Sequence, residues 1–368
     1  THVEDLISRR LVSSTVNLEK AMFALEYVAQ LQESGLNFMF KGGSAVQILL
    51  GDRWNRLSVD VDICTDANED ELNSALETIK GKFGGRGFWC DERETEILGN
   101  VPFYSYRVTT PSLTGKSRVI LLDAMGVKPN YATTLVPLKT FFYESTVDVA
   151  TPTIGSMLGD KLTTIGPRTV GRAMRDSRSG LEYAKHLYDV NALSRADHSF
   201  MECVEAYSES VNLQSRIRGK DFTVAECVDD AVFTCQVASL PQTPAAGSFE
   251  ILDLEKGGRA RSEYEMLRKG LRGFQPFLVR GASYTWDQLR ENASRTALLN
   301  KMITARPSPG EVKEILDKPT PSGKEEIQAL WDEFEELHLP ARETWFIDPN
   351  EILNFPSILQ AWYQYYTL

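Results

Sequence analysis

No run of about eighteen apolar residues occurs along the 368 residues, so no membrane-spanning helix is expected. The opening residues, Thr1-His2-Val3-Glu4-Asp5-Leu6, lack the basic and apolar regions of a secretory signal. Cysteine is scarce. The five, at 64, 90, 203, 227 and 235, are odd in number and without metal-ligand spacing, which argues against a zinc site or a disulfide framework. They read as reduced thiols in a cytoplasmic protein. Internal repeats and low-complexity tracts are also missing, which sets repeat architectures aside. What remains is a soluble globular composition, 42% apolar and 25% charged. The length exceeds one ordinary core and predicts two domains.

Basic charge is in deficit overall, with a net charge of −11, which taken whole argues against a nucleic-acid partner. The distribution alters that reading. Residues 256–306 carry eleven Lys or Arg against four Asp or Glu, whereas residues 311–351 carry four against twelve. A phosphate backbone senses the local surface, because screening confines the field to roughly 10 Å. A basic surface for a nucleic-acid backbone and an ordinary solvated helical face are both open for 256–306.

The chain's most pointed chemistry is in residues 38–64. Phe38-Met39-Phe40 reads as a buried strand, Lys41-Gly42-Gly43-Ser44 as a tight turn, and Ala45–Leu50 as the helix that follows. Glycines at such a junction let backbone N–H groups approach a phosphate, and the helix N-terminus favours negative charge. Farther on, Val59 to Cys64 alternates apolar and acidic residues. A strand of period two turns Asp60 and Asp62 to one face and Val59, Val61 and Ile63 to the core. Adjacent carboxylates repel, and a divalent cation bridging nucleotide phosphates is the usual reason to keep them together.

Lys41-Gly42-Gly43-Ser44-Ala45 followed by Arg56-x-Ser58-x-Asp60-x-Asp62 resembles the first motif of the DNA polymerase beta-like nucleotidyltransferases, in the wording of the AbiEii toxins of type IV toxin–antitoxin systems. A second block supports the resemblance. Lys161, within Met157–Leu162, and Asp189, within Lys185-His186-Leu187-Tyr188-Asp189-Val190, match the family's helix-borne Lys and its Arg-Asp-Leu-Tyr-Asp-Leu segment. Lys185-His186 replaces the Arg-Asp pair, and the intervening 168–179 is longer than the family pattern. The resemblance covers roughly residues 36–193.

It implies an α/β (α+β) nucleotidyltransferase fold at 1–195, a small mixed sheet backed by helices. A mainly helical domain at 196–368, suited to acceptor binding, is expected to follow. It further implies Mg²⁺ and a nucleoside triphosphate as substrate. Asp60 and Asp62 are the candidate metal ligands. Asp123, closing the apolar run Val119–Leu122, is either a third ligand supporting a base or a strand-end cap. Lys41, Gly42, Gly43, Ser44, Arg56 and Ser58 are the candidate phosphate contacts. Ser44 could also cap its helix, and Arg56 could also brace the loop through an ion pair. Lys161 is the candidate triphosphate clamp. Asp189 either orients it, contacts nucleotide, or forms a structural salt bridge. His186 is at most a neighbour of the site.

The aromatic groups Trp362–Tyr366 and Tyr284-Thr285-Trp286 read as helical core sooner than as base-stacking platforms. The expected reaction transfers a nucleoside monophosphate to an acceptor hydroxyl. By resemblance the acceptor is an RNA, a tRNA 3′ end, in a toxin with a cognate antitoxin and no membrane partner. The alternatives are a small-molecule or protein nucleotidyltransferase, and an inactive nucleotide- or RNA-binding domain.

Helices are predicted at 16–34, 69–83, 153–165 and 180–193. Strands are predicted at 88–91, 102–110 and 118–126, with a short one at 146–150. Residues 241–247 and 307–310 read as linkers.

Overall fold

A computed structural model of the chain describes residues 5–6, 11–82, 88–110 and 116–368, with side chains described outside 81–82 and 89–94. The expectations that fall on residues 1–4 and on Phe83 lie outside the described residues. The chain divides into two compact units that interleave along the sequence. The first comprises 1–157, 196–221 and 275–283; the second comprises 158–195, 222–274 and 284–368.

The first unit is built on a mixed five-stranded sheet of order β1-β2-β5-β4-β3. Its strands are β1 (Phe38–Lys41), β2 (Val61–Thr65), β3 (Trp89–Leu98), β4 (Val101–Thr109) and β5 (Val119–Met125). β2 and β5 pair in parallel and the other neighbours are antiparallel. The β3–β4 hairpin closes on Gly99-Asn100, both with positive φ, the backbone a two-residue hairpin turn needs. β6 (Thr133–Lys139) and β7 (Glu144–Pro152) form a separate antiparallel pair. β6 is a strand the apolar pattern did not show, since Leu135 is exposed and Leu138 alone is fully buried. Helix α1 (Thr15–Glu33) packs on β2, β5 and β7. Its helical period buries Leu18, Leu25 and Val28 completely. Helix α2 (Gly42–Leu50) leaves directly from β1, and α3 (Glu69–Lys82) follows β2.

Alternation along the strands sorts the sheet into two faces. Phe38, Phe40, Val61, Ile63, Ile120, Leu122 and Ala124 are buried on one. On the other, Met39, Cys64 and Met125 pack with Tyr131 and with Ala206 and Leu213 of helix α6 (Phe200–Arg218).

The second unit is helical among its described residues, as expected. Helix α4 (Ile154–Thr163) leads into it, and α5 (Ser177–Ser194), α7 (Val224–Ser239), α8 (Leu254–Leu271) and α9 (Trp286–Ala305) form its body. The later helices α10 (Pro309–Asp317), α11 (Lys324–Glu336) and α12 (Pro356–Thr367) complete it. Thr223 with Glu226, Thr285 with Gln288 and Ser308 with Glu311 are capping boxes that start three of these helices. Trp362 is fully buried against Phe346, ring centroids 4.4 Å apart. Trp286 donates its indole N–H to the Leu240 carbonyl at 2.8 Å. Both aromatic groups therefore serve the core.

A single cut after residue 195 does not follow this packing. Residues 158–195 go with the helical unit, because α5 packs on α8 and α9. Helix α6 goes with the sheet, because its apolar stripe covers Met39, Cys64 and Met125. No described helix is long and apolar enough to cross a membrane.

Candidate active site

Register creates a polar row across the first unit's sheet. Lys41 on β1 pairs with Asp62 on β2, Asp62 with Asp123 on β5, and Asp123 with Ser105 on β4. Directly paired residues point to the same face, so these four side chains stand side by side, and all four are half-buried. Met39, Cys64 and Met125 lie two residues away on the same strands and face, under α6. One face of the sheet is thus sealed by a helix at one end and carries charged chemistry at the other. Ser105 donates its hydroxyl to Asp123 Oδ1 at 2.6 Å, fixing that carboxylate. Asp60 is exposed and just precedes β2, whose strand begins at Val61, two residues later than its alternation suggests.

The turn preceding α2 is shaped by these carboxylates. Gly42 has φ +75°, a conformation that favours glycine, and a Cβ there would overlap the Asp62 carboxylate. A Cβ on Gly43 would come 2.6 Å from Ser58 Oγ and 2.9 Å from Arg56 Nη2. The Gly-Gly pair therefore lets both halves of the first motif close on each other. Ser44 is buried and donates its hydroxyl to the Asp60 carbonyl at 2.6 Å, holding the residue before the strand. The Ser58 N–H donates to Gln47 Oε1 at 3.2 Å. Arg56 is buried, with Nη1 donating to the Leu57 carbonyl at 3.0 Å and its guanidinium 5.2 Å from the Trp54 ring centroid. Segment 275–283 braces this loop, since the Leu57 N–H donates to the Phe277 carbonyl and Arg56 bridges Leu278.

Lys161 and Asp189 belong to the helical unit. They form a buried ion pair between α4 and α5, Nζ to Oδ2 3.2 Å, with Asp189 fully buried and Lys161 6% exposed. Leu187 is core, and Tyr188 packs against the rings of Phe274 and Tyr284. The loop from α4 to α5 is anchored by Asp230. Its Oδ2 accepts from the N–H groups of Arg168 and Thr169 and from the Thr169 hydroxyl.

Much of the basic charge in 256–306 is engaged internally. Arg259 pairs with Asp230 and Glu263, Arg261 with Glu250, and Arg280 with Asp52. Arg290 is buried and pairs with Glu351. That stretch is therefore not a continuous basic face.

A hard divalent cation takes oxygen ligands, and Mg²⁺ is typically held by one or two carboxylates together with substrate phosphates. Asp62 and Asp123, neighbours on adjacent strands with Asp60 just beyond, are a donor set of that kind. Among the described residues no three Asp, Glu, His or Cys side chains converge as a ready-made cage. The residues present thus fit a cation whose coordination substrate oxygens complete.

Sequence reasoning passed over Ser105. Its signal was a small hydroxyl between the buried Tyr104 and Tyr106. Arg107, exposed and two residues along the same face, carries the same kind of signal.

Two solved structures are similar at low identity. A candidate nucleotidyltransferase from H. pylori is 15% identical, with 79% of this chain and 94% of that one covered and a TM-score of 0.39. MenT4, a nucleotidyltransferase toxin from Mycobacterium tuberculosis H37Rv, is 12% identical, with 83% and 98% covered and a TM-score of 0.46. No curated protein matches. The family model for the nucleotidyl transferase AbiEii toxin of type IV toxin–antitoxin systems matches residues 24–292, which include the whole polar row, the glycine turn and the Lys161–Asp189 pair. The chain belongs to the AbiEii family of nucleotidyltransferase toxins.

Proposed function

We propose that this enzyme transfers a nucleoside monophosphate from a nucleoside triphosphate to a hydroxyl of an RNA acceptor, a tRNA 3′ end, with Mg²⁺ as the cation. The acceptor oxygen attacks the α-phosphorus, the bond to the bridging oxygen of the β-phosphate breaks, and pyrophosphate leaves. The observation that carries this reading is the pairing of Asp62 with Asp123 beside the Gly42 turn. Asp60, Asp62 and Asp123 are the residues that would hold the cation. Bound there, it would neutralise the triphosphate and lower the acceptor hydroxyl's pKa.

The chain's own groups do the remaining work. Asp123, steadied by Ser105, supports removal of the acceptor hydroxyl's proton. Lys41 and the N–H groups that open α2 bind phosphate oxygens, with the helix terminus adding favourable potential. Ser44, Ser58 and Arg56 keep the two strands of the motif in place, through the hydrogen bonds described above. Lys161, oriented by Asp189, supplies an ammonium for the triphosphate. Expression as a toxin implies a cognate antitoxin partner, and growth arrest follows from acceptors blocked at their 3′ ends.

Purified protein incubated with total RNA and each labelled NTP in turn tests the reading. Label in tRNA that depends on Mg²⁺ and disappears in Asp62→Asn supports it. Label only in a small molecule or in protein would move the acceptor assignment. Loss of all turnover with nucleotide binding retained would make the domain a binder.

A further inference from the structure

Two arginine-bearing segments about ninety residues apart meet at one place in the helical unit. Gly180, in the first turn of α5, and Gly270, in the last turn of α8, touch through their backbones. A Cβ on Gly270 would overlap Gly180 and the Leu181 nitrogen, and one on Gly180 would overlap the Met266 carbonyl. Helices come this close only where neither carries a side chain.

Three arginines cluster about the start of α5. Arg178 lies in its first turn, the Arg175 N–H donates to Ser179 Oγ at 3.2 Å, and the Tyr183 hydroxyl donates to the Arg172 carbonyl at 2.6 Å. Arg268, Lys269 and Arg272 lie within two residues of Gly270. All six are exposed.

Charges of both signs at this place can be enumerated. Asp176 caps α5 and stands near Arg172, its carboxyl held below the usual range by the Ser179 N–H. Glu265 is 3.7 Å from Lys269, and Glu182 pairs with Lys185 at 3.1 Å. Among the described residues Arg172, Arg175, Arg178, Arg268 and Arg272 form no ion pair with a carboxylate within 4 Å. Arg168 does, at 2.9 Å to Glu255, and so does not belong to the group. Positive charge exceeds negative here by several units in a protein whose net charge is −11.

We infer that these six residues form one composite surface, assembled by the Gly180–Gly270 contact, that docks the phosphate backbone of the RNA acceptor; the inference rests on the acceptor reading above. Long guanidinium side chains spread over two helix ends suit successive phosphates of a strand, which each arginine can bind through two N–H groups. A single triphosphate would need a concave site, and these residues are exposed on helix ends. Arg178 and Asp189 share α5, eleven residues apart, which at 1.5 Å per residue places the surface about 16 Å along the helix from the Lys161–Asp189 pair.

The test titrates tRNA binding against salt for wild type and two variants, Arg172→Gln/Arg175→Gln/Arg178→Gln and Arg268→Gln/Lys269→Gln/Arg272→Gln. Melting temperature and NTP binding are followed in parallel. With one composite surface, each triple variant flattens the log–log salt slope by about two to three units, at roughly 0.7–0.9 for each phosphate no longer neutralised. Each also binds tRNA at least tenfold more weakly at low salt, while NTP binding and melting temperature stay near wild type. A wild-type protein that binds tRNA with a slope unchanged in either variant overturns the composite surface and leaves the acceptor reading standing. The same unchanged slope is what a surface built for an acidic protein would give. A wild-type protein that neither binds nor labels RNA overturns the acceptor reading itself.

Discussion

At the scale of single residues, the polar row and the buried ion pair call for different tests. Asp62 and Asp123 are half-buried at the polar end of a sheet face, so replacing either with Asn changes charge with little change in packing. Asp62→Asn or Asp123→Asn is expected to lower transfer by about a thousandfold or more, since cation-supported stabilisation is worth several kcal/mol. Melting temperature should stay within a few degrees of wild type. Ser105→Ala should cost about ten- to a hundredfold in kcat, the range of a hydrogen bond to a charged group, with KM for NTP little changed. Steady-state kinetics on the three variants checks this, and full activity in Asp123→Asn would remove it from the mechanism.

Lys161→Ala, by contrast, takes the cation away from a fully buried carboxylate. The expected loss of stability is about 3–5 kcal/mol, measured by denaturant unfolding. Lys161→Met combined with Asp189→Leu should recover most of that stability. If transfer recovers with it, Lys161 is scaffold; if transfer stays lost, its ammonium serves the nucleotide.

At the scale of elements, helix α8 contains its own control. A Cβ at Gly258 would meet nothing within 4 Å, whereas one at Gly270 would overlap the backbone of α5. Gly258→Ala should therefore raise stability by up to about 1 kcal/mol through helix propensity. Gly270→Ala should lower it by about 1–3 kcal/mol through overpacking. Thermal unfolding of the two variants in parallel decides the matter, and equal shifts would contradict the close approach of the helices. Element boundaries were largely readable, because the signals that set them are local. The helix expected at 16–34 is Thr15–Glu33, and the strand expected at 118–126 is Val119–Met125. The Gly99-Asn100 turn was equally local and was passed over. β6 was not readable, because only Leu138 among its residues is buried and its apolar residues do not alternate.

At the scale of the whole molecule, the interleaved units make the chain hard to divide. A fragment of residues 1–195 lacks α6, whose Ala206 and Leu213 cover Met39, Cys64 and Met125, and lacks 275–283, which braces the loop at Arg56. Such a fragment is expected to show no cooperative thermal transition by circular dichroism, while the full chain does. A sharp transition in the fragment would show that the sheet needs neither segment.

The same contrast separates what the sequence determined from what the tertiary structure decided. Local order was enough for the strand–glycine–helix junction, the strand that carries Asp62 and the helical second half, because each depends on neighbours a few residues away. It placed Asp60 on that strand as well, whereas the strand begins at Val61. Two outcomes needed the folded chain. Asp123 stands beside Asp62 only through a parallel strand pairing across about sixty residues, a register no local pattern specifies. Arg259 and Arg290 are withdrawn from any basic surface because Asp230 and Glu351 are brought to them from elsewhere in the chain. Charge counted along a sequence is blind to partners supplied from elsewhere in the fold.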